Sequence, residues 1–202
     1  MSEAVAPELL LDVLRRAGAR GATAADGFLV EERRFSASVR LGQVDTVSHA
    51  HERRLSLRVF AGRASAAAST SDLSRASLER VVDDATALAR ATAEDAHAGL
   101  PDPAELIGQA PDLELADPAG HGLGPEDKIE IARRAEAAAL EADPRVTNSE
   151  GAEFYDRQAR YVYATSGGFA RGYATSSFGL TVSPVAGCNG EMQRDTWYTA
   201  AR

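Results

Sequence analysis

The feature that most constrains this chain is a change of hydrophobic period between residues 27 and 92. In Phe35-Ser36-Ala37-Ser38-Val39-Arg40-Leu41 apolar residues hold the odd positions and polar or charged ones the even, as a strand with one buried face requires. Leu55, Leu57 and Val59 alternate in the same way with Arg54, Ser56 and Arg58. Gly42 and Gly62 punctuate the series, so Gly27–Glu32, Phe35–Leu41, Val44–His51, the 54–59 stretch and Ala64–Thr70 read as strands joined by short turns. The period then becomes helical: Leu78, Val81, Val82, Ala85, Leu88, Ala89 and Thr92 share one stripe, and Ser74 is placed to cap it. An earlier helix puts Leu10, Val13, Leu14 and Ala17 on one face, with Pro7 in its first turn and Gly18 at its stop. This order predicts an antiparallel meander with helices on one face.

Periodicity is lost from His97 to Gly124, where Pro101, Pro103, Pro111 and Pro118 mark a linker or functional loop. Pro125, Glu126 and Asp127 then open a helix whose buried side is expected at Ile129, Ala132, Ala135 and Ala139, and Asp143-Pro144 ends it. Nine of the twelve aromatic residues follow from Phe154 onward, so the last part reads as an aromatic-rich sheet. Its expected strands are Arg145–Tyr155, Gln158–Thr165, Phe169–Val182 (kinked at Gly172 or Gly179) and Met192–Tyr198. Turns are expected at Asp156-Arg157 and Ser166-Gly167-Gly168. No helical pattern follows to cover it. The expectation is an α+β chain: an antiparallel meander covered by amphipathic helices, then a second helix-plus-aromatic-rich antiparallel sheet that is incomplete. Its parts are an N-terminal α/β domain over 1–96, a linker over 97–124, and a central helix and β-rich segment over 125–202 that leads into a missing C-terminal domain.

Composition narrows the functional classes. Leu, Ile, Val and Phe total 40 residues, the same number as Ala alone, so the core is thin and a partner surface is expected to supply part of it. The net charge of −8 is uneven: +2 over residues 1–71, −11 over 72–150 and +1 over 151–202. An acidic middle lacks the clustered cations that a phosphate backbone requires, so no nucleic-acid partner is expected. No apolar run reaches the ~18 residues of a membrane span, and the N-terminus lacks a signal-peptide layout, so the expected location is the cytoplasm, with no membrane partner. The single cysteine, Cys188, excludes an intramolecular disulfide framework and a multi-cysteine metal cage.

Candidate chemistry is sparse. His49 and His51 fall on one face of a strand and are weak candidates for two metal ligands. Leu55 and Ser56 stand where a zinc-protease motif beginning at His51-Glu52 would need its second histidine, and polar residues on a solvated strand face explain the pair more simply. His97 and His121 lie in the aperiodic stretch and read as surface residues. No G-x-S-x-G elbow exists, and Cys188 has no activating base nearby in sequence. Arg194, Asp195, Trp197 and Tyr198 have two readings. They form either a core strand whose aromatics sit beside an Arg194–Asp195 pair, or a surface that contacts a peptide or partner.

Several segments in order resemble the TldD/PmbA (TldE) family of peptidase-related proteins, on its PmbA side. They are Leu57-Arg58-Val59-Phe60 with Gly62, Ser69-Thr70-Ser71-Asp72-Leu73-Ser74, Ala91-Thr92-Ala93-Glu94-Asp95, Thr147-Asn148-Ser149-Glu150-Gly151, Gly168-Phe169 with Gly172-Tyr173, and the closing run from Met192 to Arg202. Leu41-Gly42 stands where an Asn-Gly-type turn is usual. The resemblance implies the N-terminal and central portion of a longer, two-part chain. It further implies a non-catalytic PmbA/TldE-like subunit of a heteromeric zinc metallopeptidase, with a TldD-like catalytic subunit as partner and unfolded or extended peptides as substrate. The zinc-binding HExxxH motif would belong to that partner, and no catalytic or metal ligand carries over to this chain. The competing expectations are a stand-alone binding or oligomerisation module with no peptidase role, and a small metalloenzyme using His49 and His51.

Overall fold

A computed structural model describes residues 7–106, 111–117 and 122–202. The elements, in order, are α1 (Pro7–Ala19), β1 (Ala24–Arg40), β2 (Gln43–Ala61), β3 (Ala64–Thr70), α2 (Arg75–Ala91), α3 (Pro125–Glu141), β4 (Val146–Thr165), β5 (Ala170–Cys188), β6 (Glu191–Arg194) and β7 (Trp197–Ala201), with one short 3-10 turn at Pro103–Glu105. The class is α+β, as the change of period requires. The strands hydrogen-bond in the order β3-β2-β1-β4-β5-β6, and β7 also pairs with β5. The strands expected as two successive sheets thus share one ladder order.

Two compact units are present, each assembled from separate stretches of chain. The first comprises residues up to Glu32, Glu52–Asp112 and Ala159–Ala174; the second comprises Arg33–His51, Leu113–Gln158 and Thr175–Arg202. In the first unit, α1 and α2 bring the two predicted stripes onto the sheet. Leu10, Val13 and Leu14 of α1, Leu78, Val81 and Val82 of α2, and Leu55, Leu57 and Val59 of β2 all fall in one buried cluster. Alternation puts Leu55, Leu57 and Val59 on the helix-covered face, and β3 pairs with β2 from Leu55–Thr70 to Ala61–Ala64. Ser74 caps α2 through its Oγ, which accepts from the Ser77 N–H at 3.4 Å. α1 runs through Gly18 to Ala19, one residue past the expected stop.

The second unit has a smaller cluster: Val39, Ala132, Ala152 and Phe154, with Ile129, Ile131, Ala135, Phe178, Leu180 and Val182 packed around it. The fully inward positions of α3 are Lys128, Ala132 and Glu136, which corrects the expected all-apolar side. Both charged residues are satisfied. Lys128 pairs with the buried Asp156 and lies 4.7 Å from the Phe35 ring centroid. The Glu136 carboxylate accepts the Leu41 N–H at 2.9 Å and the Gly42 N–H at 2.8 Å. Leu41 (φ 49°) and Gly42 (φ 75°) make a tight left-handed turn, and Glu136 grips its backbone.

That pairing explains a second correction. Asp156-Arg157 is no turn; β4 runs through it, with Asp156 buried against Lys128. The polar stretches at Glu31–Arg34 and Glu52–Arg54 likewise interrupt the apolar alternation without breaking β1 or β2. Ser166-Gly167-Gly168 is the expected turn between β4 and β5. No helix among the described residues is long and apolar enough to cross a membrane.

Candidate functional site

The strand expected over Met192–Tyr198 is two short strands, β6 and β7, separated by Asp195 and Thr196. β6 lies along the end of β5, from Cys188–Glu191 to Val185–Arg194. β7 pairs with the middle of β5, from Val182–Trp197 to Phe178–Ala201. The break is held locally: the Asp195 N–H donates to Pro184 O at 3.3 Å, and the Asp195 carboxylate accepts the Thr196 N–H at 2.8 Å. Directly opposed residues share a face, so Trp197, Thr199 and Ala201 lie on the side of Val182, Leu180 and Phe178, which pack in the α3 cluster. Tyr198 projects from the opposite face, beside Thr181.

Neither aromatic is buried. Trp197 is 75% exposed and Tyr198 72%, with Met192 nearby in sequence at 73%. The core-strand reading of these residues therefore fails, and so does the Arg194–Asp195 pair: Arg194 bonds Glu150 on β4 at 2.7 Å instead. On the face of β5 that carries Leu180, an open groove of about 530 Å³ runs along α3. Ile131, Ala135, Ala138 and Leu180 line its apolar part, and Arg134 and Glu141 add charge. Exposed indole and phenol rings can bury apolar area against another chain and still satisfy their polar tips.

The first unit carries a different constellation. Asp26, 5% exposed, accepts from Arg58 Nε at 2.9 Å, from Arg58 Nη2 at 2.5 Å and from the Tyr163 hydroxyl at 2.9 Å. Burial and the neighbouring Asp26 carboxylate push the Tyr163 phenol up to about 12. On the same face Phe28, Tyr161 and Tyr173 stack in a row, with centroids 5.8 and 4.9 Å apart. No local spacing signals this arrangement, because Asp26 and Tyr163 are 137 residues apart. It fixes β1, β2 and β4 side by side and contains no nucleophile.

His49 and His51 both lie exposed on β2. Among the described residues no three His, Cys, Asp or Glu side chains gather closely enough to hold a metal ion. His97 is exposed, His121 lies outside the described residues, and so does the side chain of Cys188.

Residues 25–89 match the profile of the PmbA/TldA metallopeptidase domain 1, and residues 120–201 that of the PmbA/TldA metallopeptidase central domain. The chain belongs to the PmbA/TldD family. Metalloprotease PmbA of Escherichia coli O157:H7 is 38% identical over 168 residues, which is 83% of this chain and 37% of that protein. The chain thus spans little more than a third of that relative's length. A solved structure from Bacteroides thetaiotaomicron, described as a candidate modulator of DNA gyrase, superposes with a TM-score of 0.87 at 25% identity, covering 99% of this chain and 46% of that one. TldE from Thermococcus kodakarensis superposes with a TM-score of 0.78 at 15% identity, covering 96% and 43%, a likeness of fold alone. In PmbA/TldD terms, the Asp26–Arg58 pair falls in the domain 1 match, whereas the α3 groove, Trp197 and Tyr198 fall in the central-domain match.

Proposed function

We propose that this chain is a non-catalytic, PmbA/TldE-like subunit of a heteromeric zinc metallopeptidase that acts on unfolded or extended peptides in the cytoplasm. The observation that carries the reading is β7: a strand of a PmbA/TldD-family chain that leaves Trp197 and Tyr198 about three-quarters exposed. Large aromatics at that exposure are costly in water and typical of contact surfaces. The partner in this reading is a TldD-like chain, which supplies the zinc. This chain supplies Arg194, Asp195, Trp197 and Tyr198 as contacts, together with strand edges that an extended peptide can join through main-chain hydrogen bonds.

Co-expression with a TldD-like chain from the same genome tests the proposal. The expected result is a co-purifying complex in which zinc follows the TldD-like chain. The Trp197→Ala/Tyr198→Ala variant should bind at least about tenfold more weakly, the loss of roughly 1.4 kcal/mol that one interface anchor readily accounts for. Failure of the two natural full-length chains to associate would overturn it.

A further inference from the structure

The outer edge of β5 is taken piece by piece. β7 pairs with Phe178–Val182 and β6 with Val185–Cys188. Next along the strand, at Ser176, the neighbour is Leu113–Asp117, a stretch that belongs to no helix or strand. The Ser176 N–H donates to Leu115 O at 3.0 Å, and the Ser176 Oγ accepts the Asp117 N–H at 2.8 Å. A carbonyl and the N–H two residues on, both directed at one residue of a strand, make the pattern of a parallel bridge. Here the serine hydroxyl stands where the strand's own carbonyl would accept. The stretch mimics an added strand, and Ser176 beside it is only 5% exposed.

The mimic has little to anchor it. None of Leu113–Asp117 is buried, and Leu113 is 62% exposed. Glu114 sits at φ 49°, a left-handed backbone that is costly for a residue other than glycine. A segment with a strained residue and no buried apolar side chain belongs to the low-stability end of a structure. Parallel pairing is also slightly weaker per residue than the antiparallel pairing that β7 makes on the same strand.

We infer that Leu113–Asp117 is a displaceable strap: it fills the β5 edge at Ser176 and has to leave before an extended peptide can join that edge. While it is seated, it guards the edge against unwanted strand pairing. An incoming chain that continues the antiparallel line of β7 takes the Ser176 N–H that Leu115 O otherwise accepts. The strap thus lowers the apparent affinity for peptide by the fraction of molecules in which it is released. This regulation rests on the peptide-binding part of the function proposed above, and it requires neither the TldD-like partner nor zinc.

The test uses the full-length natural chain and a labelled decapeptide of alternating Thr and Gln, read by fluorescence anisotropy and hydrogen exchange. Asp117→Pro removes the N–H that the Ser176 Oγ accepts, so it loosens the strap and leaves the buried cluster of the second unit untouched. This variant should bind the decapeptide at least about tenfold more tightly than the natural chain, with the peptide protecting the Ser176 amide. Ser176→Ala keeps the β5 backbone and removes only the hydroxyl acceptor, so it should shift the affinity the same way by a smaller factor. Equal affinities in all three chains overturn the inference, as does the absence of binding to any of them. Tighter binding with protection confined to β6 and β7 overturns it as well. Co-purification with a TldD-like chain reads the subunit role separately: its failure beside a decapeptide response from Asp117→Pro removes that role and leaves the strap.

Discussion

The two units solve the same packing problem with different materials. The first buries a sheet face under two helices around a cluster of sixteen buried apolar residues among those described, including Leu10, Leu14, Leu29, Leu55 and Leu57. The second has one helix, a cluster of four such residues, and two buried charges on the inward side of that helix. Large aliphatic side chains stabilise by area removed from water, roughly 25 cal/mol per Å², and they need no specific partner. Lys128 and Glu136 add stability only because Asp156 and the Leu41-Gly42 backbone meet them. The first unit is closed by bulk; the second is held by matched pairs and leaves aromatic surface uncovered.

Three perturbations sharpen this contrast. Leu57→Ala, fully buried in the first unit, should cost about 3 kcal/mol in denaturant melts. Trp197→Ala in the second, though it removes a larger side chain, should stay within about 0.5 kcal/mol for the isolated chain. Equal losses would erase the distinction. Glu136→Ala strands the two amide hydrogens of the Leu41-Gly42 turn and should cost about 2 kcal/mol, with faster hydrogen exchange at both amides. An unchanged exchange rate would show that the carboxylate does not hold the turn.

A further effect is a pH dependence. Tyr163 titrates at about 12 in the folded chain against about 10 unfolded, so folding favours its neutral form. That contribution is complete below pH 10 and is lost as the pH rises from 10 through 12. Phenolate absorbance should show one tyrosine ionising late, and Tyr163→Phe should remove it. A late tyrosine that persists in the variant would place the perturbed group elsewhere.

What could be read in the sequence follows the same division. The stripes of α1 and α2 and the alternation of β2 are visible because one type of force, apolar burial, acts at a fixed period. The inward side of α3 is hidden in the sequence, since a helix that buries Lys128 and Glu136 imitates a solvated one. Asp156-Arg157 reads as a turn for the same reason: Lys128, the reason to bury Asp156, lies on α3. The Asp26–Arg58–Tyr163 group depends on three strands meeting, and no local window contains it. Arg194 stands next to Asp195 in sequence, yet the Glu150 carboxylate is the one in reach, at 2.7 Å. The exposure of Trp197 and Tyr198 follows from the lack of cover over β7 among the described residues, which aromatic content cannot signal.

Hydrogen exchange of this chain, alone and mixed with a TldD-like chain, tests most directly the claim that the second unit is built to be covered by a partner. The account predicts new protection over Glu191–Ala201 and little change in α1, α2 and the strands they cover. Protection gained in the first unit, with none over β6 and β7, would contradict it.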